Sequence, residues 1–445
     1  MTRVWRCLQA TGAASRTRTR CFTTSAPRQE IRSIAELPPR VNPGFTETKR
    51  HDLLALGWPS PPRNILFVRK DGDRVVQEAL LEYTKHVKST YPDTNLVFEP
   101  YVAKQLHEYF DHPVYTINEN GSNTPYHEKV DLTSTLGGDG TILHAASLFA
   151  TAKSVPPVLS FSMGTLGFLG EWKFPEYKRA FREVYVSGAP CHLDDQPPPA
   201  AYSDGGAGPQ TSSTGGWSDI KGKKMGRSRN SRILMRNRLR IGIFSSTGER
   251  LPHEPPFAHA DNQCEDIFAL NEVLLHRGAL PHLAHITILI GSPPHQKTLT
   301  TAIADGFLVS TPTGSTAYSL SSGGSIVHPL VSSLLLTPIC PRSLSFRPLV
   351  LPANTLITLR IEEQNRGKEI EVSVDGVRRK EGLRTGMEVR VAGEEVRTAG
   401  APGARDWFGG VPSIVRSGGA ADGEDHWVGG LNSLLKFNYP FGEDG

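Results

Sequence analysis

The chain has 445 residues, room for two or three domains of ordinary size, and no apolar run long enough to span a bilayer. Its five cysteines (Cys7, Cys21, Cys191, Cys264 and Cys340) form no Cys-x-x-Cys pair, which argues against a disulfide scaffold or a cysteine-rich zinc site. The net charge of +4 rests on the first 22 residues, which hold five arginines and no acid; without them the balance is −1, and so nearly neutral a body weakens any nucleic-acid or membrane-surface reading.

Residues 1–22 are rich in Arg, Ser and Thr and place Val4, Trp5 and Leu8 on one possible helical face. That is the make-up of a mitochondrial transit peptide directed to the matrix, with Arg20-Cys21-Phe22 as a processing point; a disordered basic tail is the bland alternative. Residues 23–62, Pro-rich and polar, read as a linker or a loosely docked arm. From 63 to 195 the pattern alternates: strands over Asn64–Val68, Asn95–Phe98, Val130–Leu136 and Val155–Phe161, helices over Arg74–Lys88, Ala103–Tyr109, Thr141–Thr151 and Pro175–Val186. Such alternation predicts a Rossmann-like α/β domain, a parallel sheet with helices on its faces and ligands at the carboxyl ends of its strands. Residues 196–232, with Gln196-Pro-Pro-Pro, glycines, serines and a basic run without interleaved aromatics, read as a disordered insertion. The pattern then turns to short, β-branched, turn-bounded runs, and 233–397 read as a β-sandwich. Residues 398–425 look like a Gly-rich insertion, and 426–445, with the apolar run Trp427–Phe437, like a segment packing back on the first domain.

The chemistry is concentrated in a few stretches. Gly137-Gly-Asp-Gly-Thr141 follows a strand and opens a helix, where glycines admit close approach and free N–H groups meet a phosphate. Asp139 would repel that phosphate, so it fits a metal partner or a base that takes a proton from an attacking hydroxyl; a helix N-cap is the bland alternative, and on this pentapeptide alone the two stand level. Ser162–Gly170 carries three glycines beside the first loop. Asn271-Glu272, an amide and a carboxylate in an apolar strand, need partners such as ribose hydroxyls, since burying them bare costs several kcal/mol; a strand-edge polar pair is the competitor. Thr311-Pro-Thr-Gly-Ser-Thr-Ala-Tyr318, closing on Gly323-Gly324, offers five hydroxyls to phosphate or ribose without adding charge. Asp375, in Ser373-Val-Asp-Gly376, is a turn acid on which nothing is built. No metalloprotease, hydrolase or P-loop motif is present.

Together these stretches resemble the motifs of the NAD kinase family, in the family's order, over roughly residues 63–395; with the transit-like N-terminus, the likeness is to the fungal mitochondrial NADH kinase group. Ile339–Pro348 resembles the family's eukaryotic branch. The resemblance implies an α/β domain followed by a β-sandwich dinucleotide-binding domain, with the site between them and subunits paired as homo-oligomers. It implies transfer of the γ-phosphoryl of ATP, with Mg²⁺ carried on its phosphates, to the 2′-hydroxyl of the adenosine ribose of NAD(H). It assigns Asp139 as proton acceptor in a loop of Gly137, Gly138, Gly140 and Thr141. Asn271, Glu272 and Asp305 then contact the dinucleotide, and Thr313, Gly314, Thr316, Ala317, Tyr318 and Ser321 line its pocket, with Tyr318 stacking on a ring. A diacylglycerol or sphingoid-base kinase shares only the glycine loop, and a non-catalytic dinucleotide-binding regulator would gain nothing from Asp139.

Overall fold

The computed structural model describes residues 30–48, 52–117, 126–164, 167–188, 230–252, 265–367, 369–399 and 406–416, with isolated positions 427, 431 and 435. The transit-peptide reading, most of the 196–232 insertion and nearly all of 426–445 lie outside these residues. The chain runs through strands β1 (Ile31–Ser33), β2 (Gly44–Glu47), β3 (Leu54–Gly57), β4 (Asn64–Arg69), β5 (Asn95–Phe98), β6 (Val114–Thr116), β7 (Leu132–Leu136), β8 (Val158–Ser162), β9 (Trp172–Lys173) and β10 (Arg232–Arg236). Helices α1 (Arg74–Thr90), α2 (Pro100–Leu106), α3 (Tyr126–Lys129), α4 (Asp139–Ser147) and α5 (Tyr177–Tyr185) alternate with them. Then come β11 (Leu239–Phe244), β12 (Ile267–Ala269), β13 (Glu272–His276), β14 (Ala284–Ile290), β15 (Lys297–Ala304), β16 (Gly306–Ser310), the short helix α6 (Tyr318–Ser321), β17 (Ser333–Ile339), β18 (Leu349–Pro352), β19 (Ile357–Ile361), β20 (Glu371–Val374), β21 (Val377–Arg378) and β22 (Glu388–Gly393). The last are β23 (Arg397–Ala399), β24 (Asp406–Phe408) and β25 (Val411–Val415).

The first sheet has the order β1-β6-β5-β4-β7-β8-β25-β10-β3-β2, with β9 beside β8, and is parallel from β1 through β25. Strands β4, β7 and β8 are buried at every position, as strands covered on both faces must be. Ile65, Phe67, Leu132 and Phe161 face α1 and α5, where Tyr83 makes edge contacts with Phe67, Phe161 and Phe181. Leu66, Val68 and Val97 point the other way, onto Ile142 and Ala145 of α4. Asp73 starts α1 by accepting the N–H of Val75 and Val76, and Pro100 occupies the first turn of α2, where its missing N–H costs nothing.

Two six-stranded antiparallel sheets, β12-β11-β22-β19-β14-β15 and β18-β17-β16-β13-β20-β21, close on a common core of Ile241, Val273, Ile286, Phe307, Leu359 and Val389. The α/β domain followed by a β-sandwich is therefore as the pattern predicts. Three readings are corrected. The 23–62 arm supplies β1, β2 and β3. The Gly-rich 398–425 stretch supplies β25, buried throughout in the middle of the first sheet. The sandwich expected from residue 233 onward begins later: β10 pairs with β25 and β3 in the first sheet, while β11 pairs with β22 and β12 in the sandwich. Pattern misses such returns because strand partners far apart in sequence leave no local mark. Among the described residues no helix is long and apolar enough to cross a membrane.

Arg238, at the handover from β10 to β11, is buried with Glu394. Its Nε and Nη2 donate to the carboxylate at 2.7 Å each, and Nη1 and Nη2 donate to the carbonyls of Phe149 and Ala152 just after α4. Its guanidinium also stacks over Phe268 at 4.2 Å. The two domains are riveted here. Arg238→Ala strands a buried carboxylate and two carbonyls and is expected to lower unfolding stability by about 3–5 kcal/mol, read by urea titration; a loss below about 1 kcal/mol would mean that water replaces the guanidinium.

Candidate active site

Strand β7 ends at Leu136 and the chain turns through Gly137, where a Cβ would lie 2.2 Å from Thr141 Oγ1. Gly138, not Asp139, is the N-cap of α4, and it has no side chain to occupy the helix's free N–H groups. Both Gly138 and Gly140 are exposed, with open space where a Cβ would stand. Asp139 is half-buried, and its carboxylate is held across the gap by the second turn: Oδ2 accepts the Phe168 N–H at 2.9 Å and Oδ1 the Leu169 N–H at 3.1 Å. Only glycine fits at 167, because a Cβ there would sit 2.1 Å from Asp139 Oδ1. The carboxylate is thus anchored on one side by backbone amides and open on the other.

Asn271 and Glu272 lie where β12 hands over to β13. The backbone N–H groups of Leu270, Asn271 and Glu272 all donate to the Asp375 carboxylate, at 2.6, 2.7 and 3.1 Å. Asp375 and Gly376 have φ of 48° and 79° in the two-residue hairpin between β20 and β21, a turn that Asp-Gly favours. The acid set aside in the sequence is therefore the clamp of this stretch; the Asp-Gly hairpin signal was visible, but its target more than a hundred residues away was not. Asn271 Oδ1 and Glu272 Oε2 are buried without a partner among the described residues, the state of groups awaiting a ligand. Burial, then the neighbouring Asp375, pushes the Glu272 carboxyl up to about 8; burial pushes Asp375 up to about 6, against the pull of its three N–H donors and of Arg238.

The hydroxyl-rich turn packs directly on this stretch. Thr311 donates its Oγ1–H to the Leu270 carbonyl at 2.6 Å and accepts the Gly314 N–H at 3.0 Å, and a Cβ on Gly314 would strike the Asn271 carbonyl at 2.3 Å. Ser315 bonds both backbone groups of Val327, Ser319 pairs with Thr337 at 2.8 Å, and Thr316 donates to the Thr313 carbonyl at 3.3 Å. Most of the hydroxyls read as ligand donors are spent holding the turn. Thr316 and Ala317 are half-buried, while Tyr318 and Ser321 are exposed.

Arg236, singled out by nothing in the sequence, joins the three stretches. It is buried, and its guanidinium donates to Ser413 Oγ at 3.2 Å, Thr313 Oγ1 at 3.5 Å and the Phe168 carbonyl at 3.4 Å. The glycine loop, the 167–169 turn and the Thr311–Tyr318 turn, with Asn271-Glu272 beneath it, are thus gathered at the carboxyl end of β7 and the seam between the domains. Asp305 is elsewhere. It precedes β16, roughly 20 Å of extended chain from Thr311, and pairs with Arg277 at 2.6 Å.

Comparison with known proteins gives the family. The family model for the ATP-NAD kinase N-terminal domain matches residues 65–188, and that for the ATP-NAD kinase C-terminal domain matches residues 270–398. This chain belongs to the NAD kinase family. It is 36% identical over 424 residues to the mitochondrial NADH kinase of Schizosaccharomyces pombe, covering 94% of this chain and 88% of that one. To the mitochondrial NADH kinase of Saccharomyces cerevisiae it is 33% identical, covering 93% and 89%. The crystal structure of yeast NADH kinase complexed with NADH superposes with a TM-score of 0.71 at 31% identity, over 94% of this chain and 98% of that one. The protein is an NAD(H) kinase. Gly167→Ala must drive the Asp139 carboxylate off its two amides, so turnover by this kinase is expected to fall by roughly 10²-fold with an unchanged circular dichroism spectrum; turnover within threefold of wild type would show that the carboxylate is not held from that side.

Proposed function

We propose that this kinase transfers the γ-phosphoryl of ATP to the 2′-hydroxyl of the adenosine ribose of NADH, making NADPH in the mitochondrial matrix. The observation that carries the reaction is the Asp139 carboxylate, tied by Phe168 and Leu169 on one side and open on the other at the N-terminus of α4. Each oxygen takes one backbone N–H, which leaves lone pairs free to accept the 2′-hydroxyl proton. In the Gly137–Thr141 loop the exposed backbone of Gly138 and Gly140 would receive phosphate oxygens, because the N–H groups of Gly137 and Thr141 are already donated to the Phe161 and Gly138 carbonyls. Mg²⁺ arrives as part of the substrate on the ATP phosphates and offsets the charge that Asp139 would otherwise repel.

Asn271 and Glu272 would hold ribose hydroxyls, which supply the partners that Asn271 Oδ1 and Glu272 Oε2 lack. Thr313, Gly314, Thr316, Ala317 and Ser321 would line the dinucleotide pocket, and the exposed ring of Tyr318 would stack on a base. Asp305, paired with Arg277 at the far end of β16, would contact the far part of a dinucleotide in this chain's site or in that of a second copy, the latter in keeping with the homo-oligomer implied by family likeness. The preference for NADH over NAD⁺ and the mitochondrial address rest on the two fungal relatives, both named as mitochondrial NADH kinases, and on the arginine-rich, acid-free residues 1–22.

The test is turnover of the chain lacking residues 1–22, with ATP–Mg²⁺ and either dinucleotide. NADPH is expected to form faster than NADP⁺, and Asp139→Asn to lose about 10²-fold or more in turnover while still binding NADH. Faster NADP⁺ formation would reverse the acceptor preference, and undiminished turnover by Asp139→Asn would remove it from the mechanism. For the address, a fluorescent reporter carrying residues 1–35 is expected in mitochondria, and a diffuse cytosolic signal would end that part of the proposal.

A further inference from the structure

Among the buried arginines, Arg236 lies beside the Asp139 turn without a role in the reaction as described. Arg236 is only 3% exposed and its guanidinium is given to protein partners, yet the charges acting on it are those of Glu171 and Asp139. Its Nη2 donates to the Phe168 carbonyl at 3.4 Å. The N–H of the same peptide unit, that of Leu169, donates to Asp139 Oδ1 at 3.1 Å. In a trans peptide the carbonyl and the N–H point in opposite directions. Guanidinium and carboxylate therefore stand on opposite sides of one amide, which is polarised by the cation and made a stronger donor to the anion.

We propose that Arg236 is a positioning residue for the catalytic carboxylate, acting on Asp139 through the Phe168–Leu169 peptide and setting the direction in which its free lone pairs point. The reading of Asp139 as proton acceptor underlies this inference. The other contacts of the guanidinium explain why it is buried at this place. Ser413 on β25 and Thr313 in the hydroxyl-rich turn fix the cation relative to both domains, so the 167–169 turn is referenced to the dinucleotide turn as well as to its own sheet. Bare burial of a guanidinium would be costly, and the peptide dipole together with the nearby acids offsets that cost. A lysine in its place would keep the charge and lose the fork, whereas a glutamine would keep a donor and lose the charge.

The experiment is a mutant cycle in steady-state kinetics on the full mature chain, with Arg236→Gln, Arg236→Lys, Asp139→Asn and Asp139→Asn/Arg236→Gln. Arg236→Gln is expected to lower kcat by roughly 10- to 100-fold with the KM for NADH within about threefold, and Arg236→Lys to restore most of the loss. In the Asp139→Asn background Arg236→Gln is expected to cost nothing further, because groups that act as a unit are not additive. Should Arg236→Gln not fold, Ser413→Ala frees one edge of the guanidinium and is expected to cost roughly three- to tenfold in kcat, again only when Asp139 is present. Wild-type kcat in Arg236→Gln, equal losses in the Gln and Lys variants, or a full multiplicative loss in the double variant would each overturn the inference. If Asp139→Asn itself keeps its turnover, it is the reading of Asp139 that falls; if Asp139→Asn loses turnover and Arg236→Gln does not, only the role of Arg236 falls.

Discussion

Two arginines flanking Asn237 set the constraint on which the rest of the structure depends. The ribbon from Arg232 to Phe244 leaves the first sheet as β10 and enters the sandwich as β11, and Arg236 and Arg238 are both buried at the crossing. A buried guanidinium must be satisfied on every side. Arg238 is met by Glu394, two carbonyls from the end of the α4 region and the ring of Phe268. Arg236 is met by two hydroxyls and the Phe168 carbonyl. These partners come from both domains, so the cations can be satisfied only when the domains sit in one relative placement. The seam that results is where the glycine turn meets the 167–169 turn and the Thr311–Tyr318 turn.

Within that seam, the geometry is built by backbone contacts at glycines more than by side chains. At Gly167 the Asp139 carboxylate occupies the volume of the missing Cβ, and at Gly314 the Asn271 carbonyl does the same. Both are steric requirements, met whatever the ligand. Hydroxyls within the Thr311–Tyr318 turn are mostly consumed in holding it, which makes the turn a rigid wall instead of a set of loose donors. A rigid wall would lose little entropy on receiving the dinucleotide proposed to lie there.

The domain classes and the central motifs were legible in the sequence because they rest on local signals. Short buried runs and helical patterns marked β4, β5, β7, β8 and the helices between them, and strand–glycine–helix order placed the loop of Asp139 at the end of β7. What was not legible depends on long-range pairing. Strand β25 lies beside β8 although some 250 residues separate Ser413 from Val158, and nothing in its Gly-rich surroundings announces a core strand. Asp375 looked like one more hairpin acid, since its three backbone partners are a hundred residues away. Arg236 sat in a strand pattern as an ordinary polar alternate. Hydroxyl counting failed for a different reason: residue type tells that Ser315 and Ser319 can donate, not that Val327 and Thr337 already take those bonds.

The clamp on Asn271-Glu272 carries the argument one step further. Asp375 uses its oxygens on three backbone N–H groups, so it fixes the main chain while Glu272 keeps an oxygen without a partner among the described residues. Two carboxyl groups so close and so buried cannot easily both be charged, and burial together with Asp375 keeps the Glu272 proton on until about pH 8. A neutral carboxyl can donate as well as accept, and ribose offers both kinds of group. The chain therefore folds with polar atoms unsatisfied at the place where the dinucleotide is proposed to lie, and the ordering of those atoms is completed during folding, before binding. Preorganisation of this kind favours a ligand whose hydroxyls match the fixed positions over one that must rearrange them.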